Sequence, residues 1–345
     1  MPLLEESGKS RRFRLSGWLP NSWTSAKSLG TVRSMIVRHP FPSEPPAGLV
    51  DGSGWLLLPH DPVMAVAVLP FALRILESLQ GRAELACVPS VAPWIPKIAG
   101  RSPIQLPSSE MDDQGWCHGT ADRRRSWAWS LDHNPDSSIL AGLLWLGGLR
   151  RISPALPAYT RVANILLSLP TPGTSSLEDT RSGLCARLGF PLAVPRPVKR
   201  LAGKSIILAL PPLANLKQGG SWIRLAAALA EKHSLIVVHF HDLSPDLSEA
   251  LRGMGNRLSA LRISRPEDVQ RIAGEVKAWV GPMNPAAVLA SQQNCPVVSI
   301  GSAQAGLELG PDALPDWPFV RFLSHGKPSA PEVLQAVLDL SSLGM

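Results

Sequence analysis

The chain has 345 residues, 45% of them hydrophobic and 18% charged, a globular composition long enough for two domains and too apolar for a disordered chain. The longest apolar runs, residues 63–73 and 139–149, fall short of the roughly 18 residues of a membrane span and read as core. The net charge of +7 is local: residues 1–40 carry seven basic side chains (Lys9, Arg11, Arg12, Arg14, Lys27, Arg33 and Arg38) against Glu5 and Glu6, so the remainder is near neutral.

A near-neutral body without repeated Lys/Arg and interleaved aromatics argues against nucleic-acid binding. Residues 1–45 read as a basic arm, solvated or in peripheral contact with anionic lipid at the inner face of a membrane. Cys87, Cys117, Cys185 and Cys295 are far apart with no C-x-x-C, as in a reduced protein. The first residues, MPLLEESGKSRRFRL, lack a signal-peptide pattern, and the expectation is a soluble, cytoplasmic chain.

In chain order, WLLLP (55–59) is a buried strand, residues 66–79 have helical apolar spacing, and AELACVPS (83–90) is a second strand. Together they make a βαβ unit with parallel strands. SPIQLP is a further candidate strand, residues 108–134 are polar, and residues 137–149 form an apolar helix ending at Gly147-Gly148. Residues 184–188 read as a short helix within a Pro-, Ser- and charge-rich stretch. The interdomain linker is expected at 190–203. This divides the chain into an N-terminal domain, 46–189, and a C-terminal domain, 204–345.

In the second half KSIILALPP, SLIVVHFHD, RLSALRI, KAWVGP and CPVVSIG are short strands. Helices GSWIRLAAALAEKH, PDLSEALRGMG, RPEDVQRIAGEV and NPAAVLASQQN alternate with them, and a last helix closes the chain. Such alternation predicts a doubly wound parallel sheet, and the whole chain reads as α/β, two Rossmann-like domains facing a cleft.

Ligands of doubly wound sheets bind beyond the carboxyl ends of the strands. Residues 211–220 offer Lys217, Gly219 and Gly220 before a helix with Ser221 at its expected N-cap, a phosphate-holding combination of ammonium, backbone N–H groups and helix dipole. Gly281, Pro282, Met283 and Asn284 form a tight turn into a second helix start, with Asn284 as N-cap and Pro285 at the first helical position. His60 and Asp61 follow the first strand as a candidate general base and its orienter. Asp242 lies in the loop after the HFH strand. His239 and His241 alternate on that strand but lack a third metal ligand.

The order of these segments resembles glycosyltransferase family nine, the heptosyltransferase-like enzymes, over about residues 55–340. WVGPMNPAAVLASQQNCPVVSIG resembles the family's strand, D-T-G-x-x-H and L-A-A-A-L-G-x-P-V-V stretch, with Gly281 matched. Trp279 and Val280 stand where the family has Asp-Thr, and Asn284 where it has His. SIILALPPLANLKQGGSWIRLAAALAEKHSLIVVHF resembles the family's strand, lysine loop, helix and strand. LPHDPVMAVAVLPFALRIL resembles its first strand and helix, with Met64 where the family carries its basic Asp.

The resemblance implies a GT-B architecture that transfers a sugar from a nucleotide-diphosphate donor to a glycan or lipid-linked acceptor. It implies a donor on the C-terminal domain and no required metal or other cofactor. Donor contacts are then expected at Lys217, Gly219, Gly220, Ser221, Asp242 and Gly281 to Asn284. The departures leave two alternatives, a catalytically inactive scaffold or regulatory protein, and a nucleotide-sugar epimerase of the same architecture.

Overall fold

The computed structural model describes residues 37–39, 50–96, 102–106, 125–146, 150–163, 165–167, 203–213, 216–301, 320–323 and 328–343. In the N-terminal half these form strands β1 (Val37–His39), β2 (Gly54–Leu57), β3 (Ala83–Cys87), β4 (Ile104–Gln105), β5 (Trp127–Ser130), β6 (Arg150–Pro154) and β7 (Ile165–Leu167), with helices α1 (Pro62–Ser78) and α2 (Ser137–Leu146). The C-terminal half holds β8 (Ile206–Ala209), α3 (Leu216–Ala230), β9 (Leu235–His239), α4 (Pro245–Arg252), β10 (Leu258–Arg262), α5 (Pro266–Glu275), β11 (Ala278–Gly281), α6 (Pro285–Gln292), β12 (Val297–Ile300), β13 (Val320–Leu323) and α7 (Ala330–Leu343).

All strand pairs are parallel, and the two sheets run β1-β7-β6-β5-β2-β3-β4 and β10-β9-β8-β11-β12-β13. Counted from β2 and from β8, each follows the order third, second, first, fourth, fifth, sixth, and β1 adds an edge to the first. Their switch points lie between β2 and β5 and between β8 and β11. The four switch-point strands are buried along their whole length, which helices on both faces of a parallel sheet require. Trp127 fits because its strand partner is Gly54, where a Cβ would stand 2.1 Å from the indole ring.

The alternation expected for 204–345 is therefore present, with β13 added. In the N-terminal half, β5, β6 and β7 were not expected. β5 (WAWS) sits inside the stretch read as polar, and β6 begins with two arginines. Part of the expected basic arm, Val37–His39, pairs beside β7, while residues 1–36, the linker at 190–202 and the helical stretch at 184–188 lie outside the described residues. No helix among the described residues is long and apolar enough to cross a membrane.

The halves meet through α1 and α6. Val66 of α1 is fully buried in a cluster with Ala286, Ala287, Val288 and Leu289 of α6 and with Trp279, while Val63, Ala67 and Met283 pack against it. Trp94 meets Phe240 edge-on from the other half, ring centroids 5.7 Å apart. Pro70, inside α1, has no N–H for the carbonyl of Val66 four residues earlier. Gln292, the last residue of α6, supplies the missing donor, Nε2 to Val66 O at 2.7 Å.

Candidate functional site

The N-terminal switch point brings together residues that are distant in sequence. β2 delivers His60 and Asp61, and β5 delivers Asp132, 72 positions after His60. Asp61 does not orient His60: it is the N-cap of α1, Oδ1 accepting from Met64 N at 2.9 Å, ahead of Pro62 in the first turn. Neighbouring residues of an extended chain point apart, and the cap takes the carboxylate. The partner of His60 is Asp132, whose Oδ2 accepts from the ring Nδ1 at 2.9 Å and from the His60 backbone N–H at 3.0 Å. Its Oδ1 accepts from Asn134 N at 2.8 Å.

Asp132 is held from below. Tyr159, fully buried, donates its hydroxyl proton to the Asp132 carbonyl at 2.9 Å and accepts from Ser130 Oγ at 2.6 Å. Burial keeps the Tyr159 phenol protonated, well above its ordinary range. The hydrogen bond to Asp132 holds the His60 imidazole above its ordinary value against the opposing effect of burial, helped by the charges of Asp132, Asp136 and Asp61. For Asp132, burial pushes upward, but bonds from the His60 ring, the His60 N–H and the Asn134 N–H prevail and hold the carboxyl below its usual range. The Asp132 side chain is 4% exposed, that of His60 29%, so the charged form of the pair has a buried anchor and an accessible end.

At the C-terminal switch point β11 ends in Gly281, which needs to be glycine because a Cβ would come within 2.8 Å of the Cβ and carbonyl oxygen of Ala209 on β8. Pro282 follows, partly buried, and Met283 packs into the cluster between the halves. Asn284 caps α6 through Oδ1 to Ala287 N at 2.9 Å, as expected. Trp279 and Val280 are fully buried core, so the side chains standing where the family has Asp-Thr are packing residues. Asp242 is exposed and pairs with Arg262 at 2.7 Å, a solvated ion pair of little energetic weight. His239 donates from Nδ1 to the carbonyl of His241, and the described residues hold no group of three His, Cys, Asp or Glu placed to bind a metal.

The glycine loop is shorter than its sequence suggests. α3 starts at Leu216, so Lys217 and Gly219 belong to its first turn, and Gly220 and Ser221 lie inside the helix; Ser221 is no N-cap. Gly219 is buried, and a Cβ there would lie 2.6 Å from Leu247 Cδ2 of α4. It serves helix–helix approach, which outweighs the poor helix propensity of glycine. Lys217 is exposed. Ser221 lines a cavity of about 220 Å³ with Trp222, Arg224, Ile300 and Ser329. The α7 N-terminus at its rim is already capped, Ser329 N and Oγ both donating to Glu332 Oε2 at 2.7 and 2.8 Å.

Asp132 is the site residue that sequence reading missed. The available signal was a strand, WAWS, ending in S-L-D-H-N, hidden by the polar residues around it.

No family model matches the chain, and no curated protein matches it in sequence. Solved structures do match in fold. Heptosyltransferase WaaC of E. coli, solved with ADP-2-deoxy-2-fluoro heptose, shares 13% identity over 83% of this chain and 99% of that chain, TM-score 0.58. The glycosyl transferase family 9 protein of Veillonella parvula DSM 2008 shares 9% over 85% and 98%, TM-score 0.55. A putative UDP-N-acetylglucosamine 2-epimerase of Listeria monocytogenes shares 10% over 85% and 91%, TM-score 0.51. The fold is thus the GT-B arrangement of two Rossmann-like domains, as expected from the segment order.

Proposed function

We propose that the chain is a glycosyltransferase that moves a sugar from a nucleoside-diphosphate donor to a hydroxyl of a glycan or lipid-linked acceptor. The observation that carries this reading is the polar, partly accessible His60 at the N-terminal switch point. It belongs to a two-sheet fold shared over 83% of this chain with a heptosyltransferase. Donor stabilisation falls to the C-terminal half. The first turn of α3, with exposed Lys217, offers backbone N–H groups and a positive dipole end to a diphosphate. The N-terminus of α6 after Gly281 to Asn284, whose first turn lacks an N–H at Pro285 and gives that of Ala287 to Asn284, adds only its dipole. The acceptor belongs to the N-terminal half, beside His60. The basic N-terminal segment supports peripheral contact with anionic lipid, where a lipid-linked acceptor would be met.

The test is a thermal-shift panel of ADP-, UDP-, GDP- and CDP-sugars at millimolar concentration, with ADP-sugars first because WaaC was solved with one. A ligand at 100 times its dissociation constant stabilises the native state by about 2.7 kcal/mol, a shift of a few degrees in a chain of this size. One base class is expected to stabilise the chain; a flat panel on folded protein overturns the reading.

A further inference from the structure

We propose that His60 is the proton acceptor of the transfer step and that Asp132 positions it, so that the base is assembled from two strand ends on either side of the switch point. The proposal rests on the glycosyl-transfer reading and gives the transfer step its base.

Three observations support it. Asp132 Oδ2 takes both the ring Nδ1 and the backbone N–H of His60, while Oδ1 takes Asn134 N, so both carboxylate oxygens are committed and the anion cannot turn. An ionised carboxylate accepts only, so Nδ1 carries the proton and Nε2 is the basic nitrogen of the neutral ring. Nε2 has no hydrogen-bond partner among the described residues, on a side chain that keeps 29% of its exposure while its anchor is buried. Finally, Asp136 and Asp61 each cap a helix beside the ring, and their proximity favours the imidazolium formed when a proton arrives.

The step balances without a further reagent. The acceptor oxygen bonds to the anomeric carbon as its proton passes to Nε2. The bond from that carbon to the diphosphate oxygen breaks, and its electron pair leaves with the nucleoside diphosphate. The imidazolium, paired with Asp132, then returns the proton to solvent.

Asp132 acts through His60, so its test needs a readout that loss of a structural contact alone would not move. The full-length chain is assayed for nucleoside-diphosphate release across pH 5.5–9.5. His60→Gln is expected to lower kcat by about 100-fold or more with donor affinity unchanged, within the range of general-base contributions. Asp132→Asn is expected to lower kcat and to move the acid limb of the profile to lower pH, because the bond that raises the His60 pKa is gone. A His60→Gln variant with wild-type kcat, or a slowed Asp132→Asn variant with an unmoved limb, overturns the proposal and leaves glycosyl transfer standing. A wild-type chain that binds a nucleotide sugar and never releases its diphosphate overturns transfer itself. If Asp132→Asn fails to fold, nitrogen NMR of the wild-type ring decides: a neutral Nδ1–H tautomer supports the positioning by Asp132, and a neutral Nε2–H tautomer overturns it.

Discussion

Replacing Gln292 by Leu should destabilise the protein by an amount set by one carbonyl. Val66 is fully buried, and Pro70 leaves its oxygen without the usual helical donor, so Gln292 Nε2 at 2.7 Å is the group that satisfies it from the other half of the chain. Removing the donor strands a buried acceptor at about 1–3 kcal/mol, while Leu keeps most of the side-chain volume. Pro70→Ala restores an N–H four residues after Val66 and should make Gln292 dispensable. In that background Gln292→Leu should cost about 0.5 kcal/mol or less, a coupling of about 0.5–3 kcal/mol between residues in the two halves of the chain. Urea unfolding of wild type, both single variants and the double variant, followed by circular dichroism, measures the cycle. An equal loss in both backgrounds would show that Gln292 acts through something other than the Val66 carbonyl.

The His60 pair makes stability pH-dependent in a stated direction. His60 has a raised pKa in the folded state, so its contribution is full below the unfolded imidazole value of about 6.5 and fades as pH rises through the folded value. Asp132, with its pKa lowered, contributes fully above about pH 4 and loses that contribution as pH falls through its folded value. The difference in melting temperature between wild type and His60→Gln should thus be widest at about pH 4–6.5 and narrow as pH rises through the folded His60 value; a difference constant across pH would contradict the pairing. Gly219→Ala should lower stability, because a clash with the buried Leu247, worth about 1–3 kcal/mol, exceeds the roughly 1 kcal/mol gained in helix propensity. A raised melting temperature would refute the packing role. Lys217→Ala, at an exposed position, should leave the unliganded protein as stable as before while weakening the stabilising nucleotide sugar about tenfold, as titration calorimetry would show. Unchanged affinity removes Lys217 from the donor site.

The C-terminal sheet was legible because its central strands are short, apolar and punctuated by Gly and Pro, the pattern that burial on both faces imposes. The N-terminal sheet was half legible. β6 opens on Arg150 and Arg151, whose long side chains lie partly buried along the strand, and the tryptophans of β5 gave no alternation because both faces are covered. Capping was readable at Asn284, where residue type and Pro285 coincide, and misread at Ser221, where the helix begins five residues earlier. His60 was identified from its place after a strand, but its partner was not. The adjacent Asp61 was the local choice, and only the pairing of β2 with β5 brings Asp132 to the ring.

Release of nucleoside diphosphate from the nucleotide sugar that most stabilises the chain tests the central claim most directly. A continuous coupled assay on the full-length protein, run with and without glycan acceptors, is predicted to show release that an acceptor accelerates and that His60→Gln slows about 100-fold or more. A sugar nucleotide that binds, shifts the melting temperature and is recovered intact after prolonged incubation would contradict the account and mark the chain as a non-catalytic GT-B protein.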